Sequence, residues 1–177
     1  MPNPQYPAAI MRTGFPTLAL SLALLAPPAH AEIRAVVVGV SDYLTLDADL
    51  KGPANDARLM AETLVARGVT PANITVLTSD PTNLPEGTAT GQPTHDAILK
   101  ALAAATAAST KGDTVVFTFS GHGAQAPDLS GDEGGGYDEL LLPADATGWK
   151  GAIGSVENAL VDDDLQAWSQ TALDKGV

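Results

Sequence analysis

The sequence predicts an α/β fold: a mainly parallel sheet covered on both faces by helices. Three observations predict it. Short β-branched runs at 33–40, 74–78 and 114–119 read as strands, and the first lacks polar alternation after Arg34, as a strand buried on both faces does. Two helical patterns, at 54–68 and 95–109, lie between those runs. The chain has 177 residues, 45% of them hydrophobic, enough for one domain with a proper core.

The elements follow in order. "IRAVVVGV" (33–40) reads as the first strand, and "SDYLTLDADLKGP" (41–53) as the loop at its C-terminal end. "ANDARLMAETLVARG" (54–68) sets Leu59, Met60, Leu64 and Val65 at helical spacing, with Gly68 marking the stop. "ITVLT" (74–78) is a second strand, and the Pro/Gly/Thr-rich stretch 79–94 a long loop expected to be mobile. "HDAILKALAAATAAS" (95–109) is a second helix capped by Thr94. Gly112-Asp113 turns into the third strand, "TVVFTF" (114–119). Strand-helix-strand-helix-strand order implies right-handed crossovers and parallel pairing. Sites in such sheets form beyond the carboxyl ends of strands. The 41–56 segment and Ser120-Gly121-His122-Gly123 are therefore expected to be neighbours.

Further on, 124–139 reads as a glycine- and acid-rich loop, "LLLPADA" (140–146) as a short strand and 148–161 as a second loop. "DDDLQAWSQTALDKG" (162–176) opens a helix with aspartates at its positive end. No internal repeat or inter-domain linker is evident.

The first 31 residues read as an export signal. Arg12 supplies the positive region, "TLALSLALLA" (17–26) is too short to span a bilayer, and Ala29-His30-Ala31 is a small-x-small cleavage pattern. Cleavage is expected before Glu32, with Met11 the better start, giving a periplasmic or secreted chain of 32–177 without a membrane span. The formal net charge is −12, and removing the signal takes away one arginine and no acid. Such a surface repels nucleic acid and anionic lipid and suits cations, although for most of the acids solubility is explanation enough. With no cysteine, the chain contains no disulfide, thiolate metal site or cysteine nucleophile of its own.

His122 is the most informative residue. Glycines on either side leave one accessible imidazole at a strand end, suited to general acid–base work. Ser120, two residues away on an extended segment, is poorly placed to face it. The hydrolase elbow Gly-x-Ser-x-Gly is also absent, since position 118 is threonine.

Five blocks, "AVVVGVSDY", "LKGPANDARLM", "VVFTFSGHGAQ", "GGGYDELLLPAD" and "LVDDDLQAW", occur in an order that resembles the caspase-like cysteine peptidases, especially metacaspases and their bacterial relatives. The resemblance runs from Ile33 to Val177. It implies a three-layer α/β sandwich and a Cys–His dyad with the histidine at His122. It also implies a following strand carrying an Asp-x-Cys nucleophile. The sequence ends at Val177, before that strand, so the fold is expected to be incomplete at its C-terminus and this segment alone to be inactive. The implied chemistry is thiolate attack on a peptide carbonyl, with an acyl-enzyme that hydrolyses. The N–H of Gly123 is a candidate oxyanion donor, because glycine lets backbone approach substrate.

By the same resemblance, Asp56 matches the family's pocket aspartate and Ser120 a pocket hydroxyl. Pro53 stands where metacaspases commonly have cysteine. The loop "DADLKGP" holds Lys51 but no arginine to receive an acidic substrate. Basic cleavage sites are expected, with arginine favoured by bidentate pairing. Asp138, Asp162 and Asp163 match the family's calcium-binding aspartates, with Asp164 a weaker match, so Ca²⁺ is the expected cofactor. Asp128, Ser130, Asp132 and Glu139 carry EF-hand-like offsets, but Glu133 stands where that loop needs glycine. Two other classes compete: a catalytically inactive caspase-like module that binds peptides or partners, and an unrelated acidic calcium-binding surface protein.

Overall fold

Strand β1 (Ile33–Gly39) is the centre of the molecule, and its alternation places two different cores on its two faces. Ala35 and Val37 pack with Ala57, Ala61, Val69, Ile74 and Val76 on one side. Val36 and Val38 pack with Ile98, Leu102, Leu140, Leu142 and Leu160 on the other. A strand buried on both faces has no use for polar alternation, which explains its sequence. In this computed structural model the described residues are Met1, 31–128, 131, 134–149 and 156–177. Most of the expected export signal, with His30, lies outside them, as do Ser130, Asp132 and Glu133. Ala31–Val177 forms one compact unit.

The other elements are α1 (Pro53–Ala66), β2 (Ile74–Thr78), β3 (Ala89–Gly91), α2 (His95–Ala108), β4 (Thr114–Ser120), β5 (Gly123–Pro127), β6 (Tyr137–Leu141), β7 (Leu160–Val161) and α3 (Asp162–Asp174). The main sheet has order β3-β2-β1-β4 and is parallel throughout. Helix α1 covers one face; α2, with Leu165 and Trp168 of α3, covers the other. This is the expected three-layer α/β sandwich. Beside it lies an antiparallel sheet of order β5-β6-β7.

Local chemistry fixes the helix ends. Pro53 starts α1 with a pre-set φ, and Gly68 (φ +91) follows its end. The Thr94 hydroxyl accepts from Ala97 N–H at 3.4 Å to cap α2. Asp164 accepts from Val161 N–H at 3.3 Å at the start of α3.

Several expectations need correction, among them the loop read at 148–161, whose last two residues form β7. The 79–94 stretch contains β3, which the sequence hides because all three residues are exposed. The 124–139 stretch is not simply a loop: β5 and the start of β6 form an antiparallel hairpin within it. The strand expected at 140–146 is β6, three residues earlier at its start and ended before Pro143, which cannot donate to a ladder. In α1 the buried face is Ala57 and Ala61; Leu59 and Met60 are exposed. Small residues are needed there because α1 lies directly on Gly39, where an added Cβ would meet the Pro53 carbonyl oxygen at 2.3 Å.

Candidate active site

The parallel register sets Gly39 of β1 beside Ser120 of β4, so both strands deliver their following loops to one rim. Val40 N–H donates to the Ser120 carbonyl at 2.8 Å. The loop after β1 is then tied down by its own polar groups. Leu50 N–H donates to Ser41 O at 2.7 Å, and Tyr43 N–H to Asp49 Oδ1 at 2.9 Å. Leu44 N–H reaches Ala144 O at 2.8 Å. The expected neighbourhood of 41–56 and Ser120–Gly123 is therefore formed.

His122 is fixed on every side. Its Nε2 lies 2.9 Å from the Ala48 carbonyl oxygen. A carbonyl only accepts, so Nε2 carries a proton, and in the neutral ring Nδ1 keeps its lone pair. The His122 N–H donates to the Tyr43 hydroxyl at 2.9 Å, and its carbonyl accepts from Leu142 N–H at 3.0 Å. Tyr43 and Trp149 flank the imidazole, with ring centroids at 5.4 Å and 4.9 Å and tilts of 37° and 41°. The ring stays half-buried rather than sealed in the core. Burial pushes the Tyr43 phenol above its ordinary value, partly offset by the His122 N–H bond.

Ser120 and Asp56 also come together. The Ser120 hydroxyl donates to Asp56 Oδ2 at 2.7 Å, joining the end of β4 to the first turn of α1. Ser120 is thus committed to a carboxylate and not to the imidazole. The pair leaves the second Asp56 oxygen on an exposed rim, a fitting partner for a cation. Gly123 begins β5 opposite Leu141.

The expected calcium residues come near one another in the chain's layout. Asp138 lies on β6, and Asp162 and Asp163 open α3 directly after β7, the partner of β6. Asp162 Oδ2 accepts from Glu139 N–H at 3.4 Å and Oδ1 from Asp163 N–H at 3.1 Å. Among the described residues, no group of three or more His, Asp or Glu side chains is arranged to hold a metal ion. His95, at the start of α2, pairs with Asp96 at 3.0 Å and takes no part in this rim.

Three contributors were not singled out by sequence reasoning. The Ala48 carbonyl is a backbone atom and carries no residue signature. Tyr43 stood in a quoted block, and an aromatic in a loop expected beside His122 was a usable signal. Trp149 sat in a glycine-rich stretch with no pattern to mark it.

The chain has known relatives. A family model described as "Metacaspase, peptidase C14 domain" matches residues 33–177. Metacaspase-2 of Arabidopsis thaliana is 38% identical over 152 residues, covering 85% of this chain and 33% of that protein. Metacaspase-1 of Pyricularia oryzae is 31% identical over 144 residues, covering 81% of this chain and 33% of that protein. A crystal structure of a Geobacter sulfurreducens protein matches with TM-score 0.57 and 26% identity, covering 79% of this chain and 45% of that one. The chain thus spans about a third of the length of these curated relatives.

Proposed function

Since the chain belongs to the metacaspase, peptidase C14 family, we propose that it is the histidine-bearing portion of a cysteine endopeptidase that cleaves after arginine or lysine. One observation carries this reading: the Ala48 carbonyl holds the proton of His122 on Nε2, so the base that remains is Nδ1. The chain contains no cysteine, so the thiol is assigned to a segment outside this sequence. Among the described residues no strand pairs with the outer side of β4, which supports that assignment. A further strand added there would end beside His122.

Nδ1 takes the thiol proton, and the thiolate adds to the carbonyl carbon of the scissile bond. Gly123 N–H donates to the oxyanion that forms. The C–N bond breaks, and the imidazolium returns its proton to the departing amine. Water then hydrolyses the acyl-enzyme by the reverse proton path. Asp56, oriented by Ser120, receives the guanidinium or ammonium of the residue before the scissile bond.

The test is cleavage by the protein that includes the cysteine-bearing segment. Arginine-terminated fluorogenic peptides are expected to be cut faster than aspartate-terminated ones, with activity lost on thiol alkylation and in His122→Ala. Faster aspartate cleavage, or thiol-independent turnover, overturns the reading. The absence of cysteine favours a second reading, an inactive caspase-like module that binds peptides or partners. An Asp-x-Cys motif encoded after Val177 selects the enzyme, and any other residue in place of that cysteine selects the module.

Two further proposals complete the picture. The first, carried by the family resemblance and not by the side-chain arrangement, is calcium binding at Asp138, Asp162 and Asp163. Export to the periplasm or medium removes residues 1–31, and N-terminal sequencing of the exported protein, with Glu32 first, is its test.

A further inference from the structure

Strand β5 leaves His122 directly, and its hydrogen-bonding parity can be read from two bonds. Leu142 N–H donates to His122 O at 3.0 Å, and Asp128 N–H to Gly136 O at 3.1 Å. With Ala124 opposite Leu140 and Ala126 opposite Asp138, these bonds assign the even-numbered residues of β5 to the ladder with β6. Gly123, Gln125 and Pro127 are then the non-bonded pairs, whose backbone groups face away from β6. β5 is also the outer strand of its sheet. Gly123 and Gln125 are exposed, whereas Ala124 and Ala126 pack on the core. Among the described residues, nothing bonds to this outer edge. It therefore offers N–H and C=O from Gly123 and Gln125, and it closes at Pro127, which has no N–H.

The geometry points to this edge as the binding site for the leaving side of the substrate: the two residues after the scissile bond add to β5 as a short parallel strand. This rests on the peptidase reading above. Ser120, bonded to Asp56, precedes His122 in the chain, and β5 follows it directly. A peptide with its basic side chain at Asp56 and its scissile carbonyl at Gly123 N–H continues in the direction of β5. Parallel pairing then sets two more bonds. The N–H of the second residue after the scissile bond donates to Gly123 O, and the carbonyl of that residue accepts from Gln125 N–H. Recognition is by main chain, so most side chains are tolerated there. Proline at that second position is not, because it lacks the donor. The same bonds hold the departing amine near His122 until it is protonated.

Binding to the ¹⁵N-labelled chain tests this, since without a cysteine a peptide is bound and not cut. The probes are acetyl-Gly-Gly-Arg-Gly-Ala-Gly-amide, the same peptide N-methylated at alanine, and acetyl-Gly-Gly-Arg-amide. The full peptide is expected to shift the Gly123 and Gln125 amide signals. N-methylation is expected to weaken binding about fivefold, the loss of one main-chain hydrogen bond of ordinary net strength. Gln125→Pro removes a donor that the hairpin does not use. It is expected to weaken the full peptide by about the same factor and leave the arginine-amide peptide unchanged. Equal binding of the plain and N-methylated peptides overturns the inference, while binding of the arginine-amide peptide still upholds the Asp56 pocket. A Gln125 shift caused only by residues before the arginine also overturns it. If no arginine peptide binds, the peptidase reading fails and the inference with it.

Discussion

Replacing Gly39 by alanine tests how the fold sets the pocket. Gly39 is ordinary strand, so the objection to a side chain is steric. An added Cβ would lie 2.3 Å from the Pro53 carbonyl oxygen and 2.8 Å from the Ala57 Cβ, both on α1. Ordinary contact begins at about 3.5 Å, so α1 must retreat by roughly 1 Å. That helix carries Asp56, whose bond to Ser120 is 2.7 Å long and ends within the same rim. Retreat by that amount takes the pair out of good hydrogen-bonding distance. Overpacking of this kind costs about 1–3 kcal/mol. Urea unfolding followed by circular dichroism measures the loss, and titration with acetyl-Gly-Gly-Arg-amide reads the pocket. Gly112→Ala is the control: its φ is +92 with nothing within 4 Å of an added Cβ, so its cost is one of backbone strain alone and the pocket is unaffected. Gly39→Ala with stability within about 0.5 kcal/mol of the parent and unchanged arginine binding would refute the reasoning.

Tyr43→Phe keeps the ring against His122 but removes the acceptor of its N–H, and is expected to cost about 1 kcal/mol in urea unfolding and to speed exchange of the His122 amide; an unchanged amide contradicts it. Asp113 is held at about 2, below the ordinary 3.8, first by the Glu32 and Thr110 N–H groups, with Arg34 also contributing. A depressed carboxylate contributes stability above its unfolded value and loses it as pH falls through the folded one. Stability is therefore expected to drop between about pH 4 and 2, less steeply in Asp113→Asn, and equal slopes would sink the assignment. Calorimetric titration with CaCl₂ is expected to show heat that disappears when Asp138 and Asp162 are both changed to asparagine. No heat up to millimolar calcium removes the calcium proposal.

How much was legible depended on where the signal resides. β1 was readable because burial on both faces imposes an unbroken apolar run, and His122 because two glycines isolate it. Parallel topology made the 41–56 segment and Ser120–Gly123 neighbours, and the family resemblance singled out Asp56, in the first turn of α1, and Ser120, at the end of β4, within them. β5 was not readable: Gly-Ala-Gln-Ala-Pro has no β-branched residue, and its strand form comes from pairing with β6 and from Ala124 and Ala126 on the core. The end of β6 was misplaced because Leu142 and Ala144 are buried core residues that prolong the apolar run past the last ladder pair. The Ala48 carbonyl, which sets the His122 proton, is invisible to any reading of residue types.

The proposed base role of His122 turns on which ring nitrogen holds its proton. Long-range ¹H–¹⁵N correlation spectra of the neutral imidazole read this directly. The Nε2–H form, with Nδ1 bare, is the predicted result, and Ala48 O is its acceptor. A ring protonated at Nδ1 instead would contradict the account, because the nitrogen proposed as the base would then hold the proton.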